Sequence, residues 1–288
     1  MAKAKAKAKV KAKSNGSAAR IVGREGEFSQ ISRLVGMGRN VLIEGPVGVG
    51  KTFLVKHALE TLGLGYERVD GDSRYTEAKL TGWFDPPQVL KKGYSAACFI
   101  DGPLLVAMRR GRILFINELN RMPEAVQNIL LPAMDERVVT IPKLGVVRAK
   151  EGFAVVATQN PREFTATHAV SEALLDRFEM VQLDYQSRDE EIRILGREAV
   201  GVDAELTASA VDVVRGTRGH PGIKRGASVR AAIAIARLCA SGLGLEESAL
   251  LALPSRIELV STDEDARAII RDLVRGVPLP LAQQKKNS

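Results

Sequence analysis

The run Gly45-Pro46-Val47-Gly48-Val49-Gly50-Lys51-Thr52 has the residue types and spacing to hold a chain of phosphates. It fits G-x-x-x-x-G-K-[ST], follows the apolar stretch Val41-Leu42-Ile43, and opens a helical pattern from Thr52 to Leu62. Gly45, Gly48 and Gly50 let the backbone turn its N–H groups inward, and a helix N-terminus adds its dipole. Lys51 has the reach for β- and γ-phosphates, and the Thr52 hydroxyl can ligate Mg²⁺. Together they read as a nucleoside triphosphate site.

A second stretch, Ile113-Leu114-Phe115-Ile116, runs straight into Asn117 and Glu118. A strand that ends in two acceptor side chains delivers them to a partner, often a metal ion with its water. The expected place for this strand is beside Val41–Ile43, with Asn117 toward the metal and Glu118 toward the water. A glutamate there can orient or deprotonate water. An aspartate is the usual residue at the first position, and here it is an amide. The amide oxygen can still accept a hydrogen bond from a metal-bound water, so the lost charge weakens Mg²⁺ binding without abolishing it. A third strand, Ala154–Ala157, ends at Gln159-Asn160, and an amide there can hold an attacking water. Arg177, in "LLDRF", can stabilise transition-state charge in cis or from a neighbouring subunit. The plain alternatives are a surface Asn160 and an Arg177 paired with Asp176.

These residues need elements to carry them. Strand-like runs recur at Tyr66–Val69, Ile113–Ile116, Ala154–Ala157 and Met180–Leu183, with helical patterns at Pro103–Arg110, Pro123–Asp135 and Ser171–Phe178. Alternation of this kind predicts an α/β fold with a mostly parallel, doubly wound sheet. Pro132 predicts a kink or an early end in the 123–135 helix. Beyond Asp184 the pattern changes. Ser187 and Glu190 form a capping-box signature, and the remainder reads as all-helical with glycine breaks.

Composition sets the bounds. Of the 288 residues 45% are apolar and 26% charged, enough for an ordinary core. No apolar run is long enough to span a membrane, and no secretory signal opens the chain, so a cytoplasmic location is expected. Cys98 and Cys239 lack metal-ligand spacing and read as buried thiols, and His57, His168 and His220 are scattered. The alternating lysines from Lys3 to Lys13 supply six of the eight net positive charges, leaving a net two for the rest. That tail has no apolar face and is expected to be disordered. The body itself makes no strong electrostatic claim on nucleic acid.

The motifs in order, "LIEGPVGVGKT", "LFINELNRMPEAVQNILLPAMDE", "FAVVATQNP", "SEALLDRF" and "GASVRAA", resemble those of AAA+ ATPases and, within them, the MoxR family. The resemblance covers about residues 20–275. It implies an α/β nucleotide-binding domain over 20–185 and an α-helical lid domain with a short C-terminal tail over 186–288; the disordered basic Lys-Ala tail over 1–19 has no counterpart in the family. It implies that Gly45–Thr52 is Walker A, binding ATP through Gly45, Pro46, Val47, Gly48, Val49, Gly50, Lys51 and Thr52. Ile113–Glu118 would be Walker B, with Thr52 and Asn117 at the Mg²⁺ and Glu118 and Lys51 in catalysis. Asn160 would be sensor 1, Arg177 the arginine finger, and Arg230 sensor 2. The segment "VLKKGYSAACFIDG" matches an insert shared with magnesium chelatase and MCM helicases. MoxR-like proteins generally form hexameric rings that mature or activate a protein client, often with a partner carrying a von Willebrand factor A domain.

The resemblance leaves other functions open: a metal-chelatase motor subunit, an MCM-like nucleic-acid motor, or a nucleotide-binding scaffold without turnover, which Asn117 alone would favour. The tail enters none of these chemistries. A chain beginning at Ala19 should keep its ATP turnover, and loss of turnover at unchanged folding would mean that the tail docks on the assembly.

Overall fold

The computed structural model describes residues 21–160, 168–261 and 264–278; the Lys-Ala tail and the last ten residues lie outside them. In chain order the strands are β1 (Val41–Glu44), β2 (Tyr66–Asp70), β3 (Gly82–Phe84), β4 (Phe99–Asp101), β5 (Ile113–Asn117), β6 (Val138–Ile141), β7 (Gly145–Arg148), β8 (Ala154–Gln159), β9 (Glu179–Gln182), β10 (Ile223–Arg225) and β11 (Glu258–Leu259). Five of them form one parallel sheet in the order β2-β5-β8-β1-β9.

The sheet is covered on both faces because its strands are apolar on both. Val41, Ile43, Ile113, Phe115, Ala154 and Val156 face one core with Ile31, Leu54 and Val55. The alternate residues Leu42, Leu114, Ile116, Val155 and Ala157 face a second core with Leu104, Leu105, Met108 and Leu130. This is the period-two pattern of a sheet buried between helices. The helices Glu25–Gly36 and Lys51–Thr61 pack on the first face, and Pro103–Arg110 with Leu130–Asp135 on the second.

Three expectations change. β5 does not lie beside β1: β8 is between them, paired in parallel with both. The 123–135 helix is two pieces, Glu124–Gln127 and Leu130–Asp135. Pro132 sits in the first turn of the second piece, where its missing N–H has no intrahelical acceptor to lose, so the break falls before the proline. The C-terminal region is not wholly helical. Five helices, Arg188–Glu198, Ala204–Gly219, Val229–Ala240, Leu245–Ala252 and Ala266–Arg275, share a core of their own, but β10 and β11 add a short antiparallel pair. The insert, residues 89–102, holds the end of the helix Pro86–Lys92 and β4, which pairs with β3. Cys98 and Cys239 are buried thiols, as expected.

The capping box opens the helical region as the sequence predicts. The Ser187 side chain accepts from Glu190 N, and the Glu190 carboxylate accepts from Ser187 N at 2.8 Å. That backbone bond holds the Glu190 carboxyl below its ordinary range. Ser187→Ala should cost about 1 kcal/mol. A depressed folded pKa contributes stability that is complete above the unfolded value, about 4.3, and is lost as pH falls through the folded one. The gap in melting temperature between wild type and Glu190→Gln should therefore be present at neutral pH and close in acid.

Candidate functional site

Residues 45–50 leave the C-terminal end of β1 and close into the helix Lys51–Thr61. Gly48 has φ +80°, and a Cβ there would collide with the Ser228 side chain of the helical region. Only a glycine lets that loop and that residue approach so closely. Lys51 Nζ donates to Gly45 O at 2.6 Å and Pro46 O at 2.8 Å, folded over its own loop.

Parallel register brings the polar strand ends to the same edge. Thr52 Oγ1 donates to Asn117 Oδ1 at 2.7 Å, from the helix after the loop to the end of β5. Thr158 Oγ1, on the intervening β8, donates to the same oxygen at 3.1 Å and accepts from Glu118 N at 3.0 Å. Asn117 Nδ2 donates to Asp70 Oδ1 at 3.0 Å, from the end of β2. Arg68 closes on Asp70 at 2.6 Å, and that bond raises the guanidinium pKa. Gly71, just beyond, donates its N–H to Asn117 O at 2.7 Å and passes so close under Glu118 O that a Cβ would not fit.

Glu118 itself has φ 60° and ψ 55°, left-handed for a residue with a Cβ. Such strain concentrates where a side chain must be aimed. The carboxylate meets Arg121 Nε at 2.9 Å, and both side chains are 38% exposed. Asn160 is buried at 4% exposure, not a surface residue, and its carbonyl accepts from Asn120 Nδ2 at 3.1 Å.

Two cavities flank the loop. One, of about 510 Å³, lies between Gly48–Gly50, the N-terminal Ile21 and Val22, and Val229, Arg230 and Ile233 of the helical region. The other, of about 430 Å³, runs from Pro46 and Val47 past Asn160 to Lys224, Arg225, Arg230 and Arg256. Arg230 lines both. The first has an apolar side that suits an adenine, with Arg24, Arg197, Glu198 and Arg230 at its polar side, and the second is basic, as a triphosphate requires. For Mg²⁺ the donor set also fits: Thr52 and Asn117 offer hard oxygens, and magnesium takes few protein ligands and keeps several waters.

Arg177 is elsewhere. Its carbonyl faces Asn40 Nδ2 at 3.5 Å, at the start of β1, and its guanidinium pairs with Asp135 at 2.7 Å rather than with Asp176. Loop 45–50 leaves the far end of that four-residue strand, about 13 Å away.

Residues 40–178 match the family model of the AAA domain, dynein-related subfamily. Residues 191–277 match that of the CbbQ/NirQ/NorQ C-terminal region. The chain is an AAA ATPase of the MoxR/CbbQ/NorQ type. Protein NorQ of Paracoccus denitrificans is 29% identical over 242 residues, 82% of this chain and 86% of the relative. Gas vesicle ATPase GvpN of Haloferax mediterranei is 27% identical over 270 residues, 86% of this chain and 77% of the relative. A solved structure of a Thermotoga maritima RuvB variant covers 90% of this chain and 72% of its own, at 18% identity and a TM-score of 0.53, a likeness of fold alone. Membership of an AAA ATPase family implies ATP binding, which the two cavities can accommodate. Among the described residues no helix is long and apolar enough to cross a membrane.

Sequence reading missed Asp70, Thr158, Arg121 and the apolar group Ile21, Val22, Val229 and Ile233. Asp70 carried a usable signal, since it ends a strand one residue after Val69, just as Asn117 follows Ile116.

Proposed function

We propose that this chain binds ATP with Mg²⁺ between loop 45–50 and the helical region, hydrolyses it as part of a ring, and uses the cycle to remodel or activate a protein client. The observation that carries the reading is the convergence of Lys51, Thr52, Asn117 and Glu118 at one sheet edge, with Arg230 facing the same loop.

Backbone N–H groups of Val47–Lys51 and the Lys51 ammonium bind the phosphates, which replace the carbonyls of Gly45 and Pro46 as acceptors. Thr52 and Asn117 would hold Mg²⁺, which when bound neutralises charge on the phosphate oxygens. Ile21, Val22, Val229 and Ile233 cover the adenine. The Glu118 carboxylate leaves Arg121 and takes a proton from water, while the Asn160 amide orients that water. The water oxygen bonds to the γ-phosphorus as the bond to the bridging oxygen breaks, giving ADP and phosphate. Arg230 balances the γ-phosphate charge from across the cleft.

Arg177 lies beyond reach of its own loop, so it serves the site of a neighbouring subunit. This supports a closed ring, a hexamer by family resemblance. The same resemblance supports a partner with a von Willebrand factor A domain. Turnover is supported by the name of one relative, gas vesicle ATPase. The amide at Asn117 favours one rival, a scaffold that binds nucleotide without hydrolysis.

Steady-state ATPase measurements decide between them. Wild type should turn over ATP with Mg²⁺, Lys51→Ala should neither bind nor hydrolyse it, and Glu118→Gln should bind without turnover. A wild type inert at every Mg²⁺ concentration would leave the scaffold.

The ring has its own test. Arg177→Ala should lose about a thousandfold or more in rate. Mixing it with Lys51→Ala subunits should restore part of the activity, because some interfaces then pair an intact loop with an intact arginine. A fully active monomer in ATP would rule the ring out.

A further inference from the structure

We propose that Asp70 is a positioning residue for the metal site: it fixes which way the Asn117 amide faces, and through it the direction of the Thr52 hydroxyl. The inference rests on the nucleotide reading above and concerns how that site works without the usual carboxylate.

An asparagine at the end of β5 has two orientations that differ only by exchange of oxygen and nitrogen. Thr52 and Thr158 do not choose between them, because a hydroxyl can donate or accept. Asp70 does choose. An ionised carboxylate only accepts, so the group 3.0 Å from its Oδ1 must be the Asn117 NH₂. Arg68, at 2.6 Å, holds the carboxylate in place. The Asn117 oxygen is thereby turned toward Thr52 and Thr158.

The direction then propagates. The Thr52 proton points at Asn117 Oδ1 over 2.7 Å, which leaves the hydroxyl lone pairs for a cation. Thr158 likewise donates to Oδ1 while its own oxygen accepts Glu118 N–H, so the same polarity reaches the residue after the amide. With the amide reversed, its NH₂ would donate to Thr52, occupy a lone pair and turn a proton toward the metal. An aspartate at 117 would have no such ambiguity, since both its oxygens accept. The chain thus meets a requirement that its amide creates, with an acid from the neighbouring strand, set opposite it by the register of Asp70 with Asn117.

The test measures the Mg²⁺ concentration for half-maximal binding of adenylyl imidodiphosphate, a non-hydrolysable ATP analogue, to the full chain. Asp70→Leu should raise it about tenfold, the scale of losing a partner behind a metal ligand. Asp70→Asn keeps an acceptor oxygen there, because Arg68 donates to the same Oδ1 as Asn117 and can only donate, so it should stay close to wild type. In an Asn117→Asp background, Asp70→Leu should lose most of its effect, because a carboxylate has no orientation to fix. Asp70 is 59% exposed, so the melting temperature without nucleotide should not move. The proposal is overturned if Asp70→Leu binds like wild type, or shifts the Mg²⁺ requirement equally in both backgrounds. It is also overturned if Asp70→Asn is as weak as Asp70→Leu, which would make charge the cause. Mg²⁺-independent or absent binding in wild type would sink the nucleotide reading itself, and this inference with it.

Discussion

The bond from Thr52 to Asn117 is the one on which the rest of the site depends. It crosses from the helix after loop 45–50 to a strand two places away, so it forms only when β1, β8 and β5 are paired in the observed register. A slip of one residue in either ladder would turn the strand-end side chains to the opposite face. The apolar alternation that builds two cores is therefore the same property that aims Asn117, Thr158 and Glu118. Glu118 carries the local cost of that aim in its left-handed backbone.

What the sequence made legible follows from whether the information was contiguous. The phosphate loop is a chemical pattern of eight consecutive residues, and Gly45–Thr52 needed no tertiary context to be read. The main strands were legible as apolar runs, because buried parallel strands are apolar on both faces. Strand order was not, since Val41–Glu44 carries no mark that says whether β5 or β8 is its neighbour. The pairs β3–β4 and β10–β11 are two or three residues a side, too short to show alternation. Asp70 and Thr158 join the site only through register, from positions 47 and 41 residues away from Asn117. Arg177 is legible as a motif residue, but its partner is not: of its plain alternatives, the neighbouring Asp176 gives way to Asp135, 42 residues away.

The helical region meets the loop through polar and small groups. Ser228 lies against Gly48, while Arg24 donates to Asp184 O and the Gln186 amide donates to Val22 O, which ties the connecting stretch to the N-terminal segment. Arg218 lies 3.9 Å over the Tyr185 ring and pairs with the buried Glu191, which fastens the connection to the helices, while Leu183 and Tyr185 also pack on the sheet core. The closest-packed element pairs fall within the sheet body or within the helical region, and the two cavities lie along the seam.

That seam has a mechanical consequence. Two bodies with separate cores, joined by the short stretch 183–187, have the geometry of a lever on a hinge. The helix Ala204–Gly219 alone has 16 residues, about 24 Å of rigid arm. A rotation of about 5° at the hinge carries the tip of such an arm through about 2 Å. Because little apolar packing bridges the bodies, few core contacts resist that rotation. Sub-ångström adjustments beside the phosphates would then emerge, magnified several-fold, at the outer surface of the helical region.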